Sequence, residues 1–382
     1  MPNTITNLVP TLYEALDVVS RELVGFIPAV RMDSGVERAA VNQSVIAFQT
    51  PAAAAQDLTP AVNPPDTGDQ TIGNVSVTIT KARFVPVRWN GEEQRGVNTG
   101  PGYRNILRDQ FAQAMRTLVN EIELDLANVI KNGASRAVGI AGTTPFATAG
   151  DYTDAANVRR VLVDNGAPIS DLQMVLSTAA GANVRGRQGG RGVSDEGTSD
   201  ILRRGVLLDI MGFSVRESAA ARLHTAGTGS GYLVNNASNI AVGGTAIAAD
   251  TGTGTILAGD VVTFAADANN SYVVGSALAA GSFSINAPGA LVTIPDNNAI
   301  TRGNSYTHNA AFARSAVVLA TRAPALPEEG DMADDRMTVT DPVSGLTFEV
   351  SLYRGFRQVM YTVALAWGQR VVKSEHVATL RG

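Results

Sequence analysis

Between Gly102 and Gly133 the chain runs from Tyr103 to Asn132 without a glycine or proline. Leu107, Phe111, Met115, Leu118, Ile122, Leu126 and Val129 recur along it at spacings of four and three. That is the period of one helix face. Gly100-Pro101-Gly102 opens the run and Gly133 follows it, which are helix start and stop signals. At about 1.5 Å per residue such a helix is on the order of 45 Å long, more than the width of a small domain. The remainder must pack along it, so the spacing predicts a flat, extended molecule braced by one long helix. Arg108, Asp109, Arg116, Glu121, Glu123 and Asp125 are expected to decorate its other faces.

Upstream, Leu12, Ala15, Leu16, Val19 and Leu23 predict a short amphipathic helix that Gly25 and Pro28 terminate. From Arg31 to Arg95 the period changes to two. Val41 and Ser44–Phe48, then Val75, Val77 and Ile79, read as strands. Between them Thr50–Gly68 carries Pro51, Pro60, Pro64 and Pro65 and four consecutive alanines. This is a long two-strand excursion with a proline-rich tip. Pro86 confines the following strand, Lys81–Trp89, to a sheet edge or a bulge.

Downstream, Asp151–Asn165 predicts a helix, capped by Asp151 or Thr153 and closed by Gly166 with Pro168 beyond. Leu172–Ser177 is a buried strand, Thr178–Val184 a helical turn, and Ile201–Leu208 with Phe213–Val215 continue an α/β pattern. The composition then breaks. From Thr225 to Ala310 the only charged side chains are Asp250, Asp260, Asp267, Asp296 and Arg302. Tyr232–Val234, Ile240–Val242, Val261–Phe264, Tyr272–Val274, Phe283–Ile285 and Leu291–Ile294 alternate between turn residues. Evenly spaced short strands of this kind predict a small barrel or sandwich. Its expected core includes Ile240, Val242, Val261, Phe264, Val273, Phe283, Ile285, Val292 and Ile294. The earlier style returns at Phe312, with strands at Ala316–Ala320, Met337–Thr340, Leu346–Tyr353 and Gln358–Trp367. The β-rich piece therefore interrupts another domain.

Chemistry-bearing patterns are sparse. There is no cysteine, which removes disulfides and thiolate chemistry. No opening stretch reads as a secretory signal, and no apolar run approaches the roughly 20 residues that span a bilayer. The net charge of -5 does not suit a tight nucleic-acid wrapper. Lysine occurs only at Lys81, Lys131 and Lys373, and arginine supplies the other basic residues. That bias fits bidentate interface pairing and fits a GC-rich genome equally well. His224, His308 and His376 show no metal-ligand spacing and read as solvated loop residues. Gly186–Gly192 lacks the lysine-serine ending of a phosphate cradle and reads as a flexible loop. Gly229-Ser230-Gly231 leads into a strand and lacks the frame of a nucleophile elbow. Glu92–Glu93, Glu328–Glu329 and Asp334–Asp335 fall in predicted loops, as solvated groups or partners for a neighbour's arginine. The reading assigns no catalytic, cofactor-binding or metal residue and no cofactor.

The order of parts carries a resemblance. A short helical arm, a proline-tipped excursion, a long helix, an α/β region, a polar β-insert and a return to antiparallel strands resemble phage coat proteins of the Hong Kong 97-type fold. The insert at Thr225–Ala310 looks like the insertion domain of the coat protein family of the short-tailed phage P-twenty-two. Asn3–Val24 and the helix Arg104–Asn132, with Asn120-Glu121-Ile122-Glu123-Leu124-Asp125-Leu126-Ala127, are similar to that family as well.

The resemblance implies an α+β capsid fold with an inserted all-β barrel-like domain. Its expected parts are an N-terminal arm (1–33), an extended E-loop with peripheral strands (34–98) and a spine helix with the peripheral domain (99–150). The axial domain follows in a first part (151–224), then the inserted β-domain (225–310), then the axial return with peripheral strands (311–382). It implies a non-enzymatic major capsid protein of the virion, assembled in the host cytoplasm into hexamers and pentamers around double-stranded DNA. Expected partners are further copies of the chain, a separate scaffolding protein, a portal protein and a decoration protein, with no membrane. The chain opens directly at the arm, which leaves the scaffold to a separate protein. Lys81 lies near the base of the excursion, so the covalent crosslinking of the namesake phage is not expected. A β-rich tail or surface-binding protein, or a hydrolase built on an acid pair, are the competing readings.

Overall fold

The structure is a computed structural model that describes residues 24–35, 37–49, 55, 57–58, 60, 69, 72–97, 103–148, 151–189, 207, 209–341 and 344–382. The expected N-terminal helix, nearly all of the excursion tip, Gly190–Gly192 and most of Ile201–Leu208 lie outside the described residues.

A 3-10 turn at Ile27–Ala29 leads into β1 (Arg31–Ser34). β2 (Ser44–Gln49) and β3 (Gly73–Thr78) form a hairpin, and β4 (Lys81–Asn90) runs into α1 (Gly91–Val97) and α2 (Tyr103–Gly133). Then come β5 (Arg136–Val138), α3 (Thr153–Asp164), β6 (Leu172–Leu176), α4 (Thr178–Gly189), β7 (Phe213–Glu217) and β8 (Leu223–His224). The next six strands are β9 (Tyr232–Val234), β10 (Ala246–Asp250), β11 (Val261–Phe264), β12 (Asp267–Ala279), β13 (Ser282–Ile285) and β14 (Ala299–Arg302). The chain finishes with β15 (Tyr306–Ala313), β16 (Val317–Arg322), β17 (Ala333–Thr340), β18 (Thr347–Gly355), β19 (Gln358–Val371) and β20 (Val377–Arg381).

The 31-residue helix α2 is the axis on which two sheets are hung. Leu107, Phe111, Met115, Leu118, Ile122 and Leu126 are buried, as their spacing requires. They pack with Val87, Trp89, Phe348, Val363, Leu365 and Trp367 of the six-stranded sheet, ordered β1-β16-β19-β18-β17 with β4 along the other side of β19. Pro86 lies in β4, which among the described residues pairs only with β19 and so is an edge strand, where a proline is tolerated. Gly368 lets β19 pass under the hairpin: a Cβ there would lie 2.0 Å from the carbonyl oxygen of Thr78.

A second sheet, ordered β5-β20-β15-β6-β7 with β8 beside β15, is covered by α3 and α4 over its own core of Val158, Leu162, Met174, Leu176, Val184 and Phe213. Strands β9 to β14 close on themselves in the order β11-β14-β9-β10-β13-β12, with β12 returning to β11. The insert is thus a six-stranded antiparallel barrel. Its interior holds Val234, Ile240, Ile247, Val262, Phe264, Tyr272, Phe283, Ile285 and Ile294.

The barrel core departs from expectation at four residues. Val242 and Val292 are exposed, because the stretches around them form isolated turns and not strands. Val261 and Val273, register partners on β11 and β12, belong to the main core around α2. They face out of the barrel while their neighbours Val262 and Tyr272 face in, so this ribbon is apolar on both sides and docks the barrel onto the rest of the molecule. Helix α1 was not expected either. An Asn90–Glu93 capping box nucleates it: Glu93 N–H donates to Asn90 Oδ1 (2.7 Å) and Asn90 N–H to Glu93 Oε2 (3.0 Å).

Candidate functional site

The polar groups that the fold buries gather where its parts join. The first junction is Glu123, expected on a solvated face of α2 but only 2% exposed. Its carboxylate accepts from the backbone N–H groups of Gly25 (2.9 Å), Phe26 (3.0 Å) and Ile27 (3.1 Å), and from the Ser218 hydroxyl (3.1 Å). One side chain therefore ties the N-terminal entry, α2 and the segment after β7 together. Burial pushes its carboxyl above the ordinary range, against the pull of the Phe26, Ile27, Gly25 and Ser218 donors. Gly25 is required by the close approach: a Cβ there would lie 2.4 Å from Ser218 Cβ.

The second junction joins β4 to α2. Lys81 Nζ reaches Glu121 (2.8 Å) and Asp125 (2.9 Å), and Trp367 Nε1 donates to Asp125 Oδ2 (3.0 Å). Burial alone would lower Lys81; the bonds and charges of Asp125 and Glu121 together outweigh it and raise its pKa. Lys81 is thus held by acids of its own chain at the hairpin base.

The third junction seats the barrel. Asn286 Nδ2 donates to the carbonyls of Asn132 and Ala134, both at 2.7 Å, and so satisfies the end of α2. Asp260, fully buried, accepts from Leu257 N–H (2.8 Å) and Gly227 N–H (3.1 Å), and lies 2.8 Å from His224 Nε2. His224 and His308 are strand residues, buried and not solvated loop residues as expected. Burial drives His308 down to about 3, and the Lys131 and His224 charges add to it.

Glu92 and Glu93 lie in the first turn of α1, where they complement the helix dipole. Asp334 and Asp335 are in β17, and Asp334 pairs with Arg354 of its own chain at 2.5 Å. Gly186–Gly189, expected as loop, end α4. Among the described residues no group of three or more His, Asp or Glu could hold a metal ion. No helix among the described residues is long and apolar enough to cross a membrane.

The outer surface carries uncovered apolar side chains at extremities. Among the described residues the β2–β3 hairpin pairs with no other strand, and its base (Val77, Ile79) is buried against Val318, Ala320 and Ala366. Ile46 is 55% and Ile72 65% exposed. At another extremity the β18–β19 turn presents Phe356, 91% exposed, beside a groove of about 730 Å3 lined by Trp89, Glu92, Arg95 and Arg354. Extended ribbons and apolar tips that a monomer leaves uncovered are contact surfaces for other protein chains. The class these features define is a structural subunit whose parts are completed by neighbours.

The sequence model of the family described as "P22 coat protein - gene protein 5" matches residues 66–264, more than half of the chain, and the chain belongs to this family. As a member of a phage coat protein family it is a major capsid protein, a structural component of the virion and not an enzyme. No curated protein sequence matches it. Solved structures with a similar course include one from Mycobacterium phage Che8, at 12% identity and a TM-score of 0.46, covering 90% of this chain and 88% of that one. The capsid structure of cyanophage P-SCSP1u aligns at 11% identity and a TM-score of 0.48, covering 94% and 88%. A virus-like particle from Pyrococcus furiosus aligns at 10% identity and a TM-score of 0.44, covering 97% and 98%.

Proposed function

We propose that the β2–β3 hairpin is the intersubunit clasp of an icosahedral head built from hexamers and pentamers of this chain. The supporting observation is the hairpin itself. A two-stranded ribbon is marginal alone in water, and this one leaves Ile46 and Ile72 uncovered. In this reading the hairpin is the E-loop, α2 with the six-stranded sheet is the peripheral domain, the sheet under α3 and α4 is the axial domain, and the barrel is the insertion domain. Assembly takes place in the host cytoplasm on a separate scaffolding protein, with a portal at one vertex and room for a decoration protein outside. The net charge of -5 suits a wall that encloses double-stranded DNA without gripping it.

The double substitution Ile46→Asp with Ile72→Asp tests the clasp. Both residues are exposed, so the monomer's unfolding midpoint should change by no more than roughly 0.5 kcal/mol equivalent. Shell yield with the scaffold present should fall at least tenfold, measured by sedimentation. Normal shells from the double variant would remove the hairpin from the subunit contact.

A further inference from the structure

The sheet under α3, the helix α3 itself and the barrel meet around a small polar pocket of about 160 Å3. Arg136 of β5, Arg160 of α3 and Arg381 of β20 line it, with Asn269, Asn270 and Ser271 of β12. Three guanidiniums converge here, and none has a carboxylate oxygen of a described residue within ion-pair distance. Arg136 is 6% exposed and spends its terminal nitrogens on neutral acceptors: Asn270 Oδ1 (3.1 Å), Asn165 Oδ1 (2.9 Å) and the Val161 carbonyl (3.4 Å). Arg381 reaches only Ser271 Oγ, at 3.5 Å. The Nε atoms of both Arg136 and Arg381 are buried without a hydrogen-bond partner. Arg160 is exposed at the rim.

The acids that act on Arg136 from a distance are Asp164 and Asp267, and Asp267 is already engaged by Asn270 Nδ2 (2.9 Å) and by the Tyr272 hydroxyl (2.5 Å). Burial works against the charged forms of Arg136 and Arg381, and Arg160 adds repulsion to Arg136. A buried cation that lacks a counter-charge is costly, and an orphaned N–H beside a cavity adds to that cost. A tetrahedral oxyanion answers both deficits, because guanidinium forks donate to phosphate oxygens in charge-assisted bonds.

We propose that this pocket binds a phosphate-type oxyanion, held by Arg136, Arg160 and Arg381, that locks the barrel to the sheet and to α3. The anion is either free inorganic phosphate or a phosphate of the enclosed nucleic acid backbone. Its place at the seam makes binding a stabiliser of the barrel's docked position.

The test is thermal unfolding of the full chain titrated with sodium phosphate, against sodium chloride at matched ionic strength. Phosphate should raise the midpoint saturably at millimolar concentration, by about 2 °C or more. The exposed Arg160→Gln variant should unfold normally in chloride and lose the saturable rise. Only the linear drift common to excluded salts should then remain. A short DNA duplex is the second arm. An Arg160-dependent rise with duplex assigns the site to backbone phosphate; a rise with inorganic phosphate alone assigns it to the free anion. Absence of a saturable rise with either, or an equal rise in Arg160→Gln, overturns the proposal.

Discussion

Replacing Glu123 by alanine should lower the unfolding free energy by about 3–5 kcal/mol, because it strips a buried acceptor from several donors at once. The backbone N–H groups of Gly25, Phe26 and Ile27 and the Ser218 hydroxyl all point at this carboxylate. None could reach water without opening the contact between the N-terminal entry and α2. Glu123→Gln keeps the shape and one acceptor oxygen, so it should cost about 1–2 kcal/mol. Urea midpoints of the three proteins check the ranking. The pH dependence separates the charge from the bonds. Burial raises the folded-state pKa of Glu123 above its ordinary value of 4.5. The folded chain therefore holds this proton more tightly than the unfolded chain does. The group's contribution is most favourable below the unfolded value and is lost as pH rises through the folded pKa. Wild type should lose stability relative to Glu123→Gln as pH climbs from about 4.5. A gap that widens in the opposite direction would show that the donors outweigh burial.

Asp260→Ala should be of similar size, about 3–5 kcal/mol, and should act on the barrel first. Asp260 is fully buried and holds the segment entering the barrel through Gly227, the turn before β11 through Leu257, and β8 through His224. Burial lowers the pKa of half-buried Lys131 at the end of α2, and the Asp260 charge partly opposes that. Removing it leaves donors without acceptors and a cation without its neighbour, at the point where barrel, sheet and helix meet. Hydrogen exchange should show the amides of β11 and β12 losing protection before those of β18 and β19. Uniform loss across the chain, or a stability change under 1 kcal/mol by urea denaturation, would show that Asp260 is not the clamp of the barrel.

Glu123 and Leu126 lie on one helix, yet only the burial of Leu126 is legible in the sequence. The apolar stripe of α2 announces its own helix, because the spacing of Leu107 to Leu126 states both the element and its buried face. Nothing in that pattern marks Glu123 as different from Glu121. What buries it is a segment almost a hundred residues away, and a periodicity carries no long-range partner. The barrel was visible for a related reason and wrong in detail for another. Polar composition and even turns announced a closed β-unit. The two-sided burial of β11 and β12 arises from docking, which strand alternation does not announce, so Val261 and Val273 belong to the main core and not to the barrel's. His224 and His308 lie in strands that the sequence does not announce, because β8 is two residues long and β15 is rich in Ala with little β-branched signature. The arginine pocket was hidden altogether. Its members lie at positions 136, 160 and 381 and meet only in the fold.

Copies of this chain should close into a shell. Electron microscopy of the full chain, co-expressed with the scaffolding protein proposed for it and purified by sedimentation, tests it most directly. Closed isometric particles of uniform diameter, resolved into hexameric and pentameric clusters, are the expected result. Monomers at all concentrations, or open tubes and rings in place of closed particles, would contradict it.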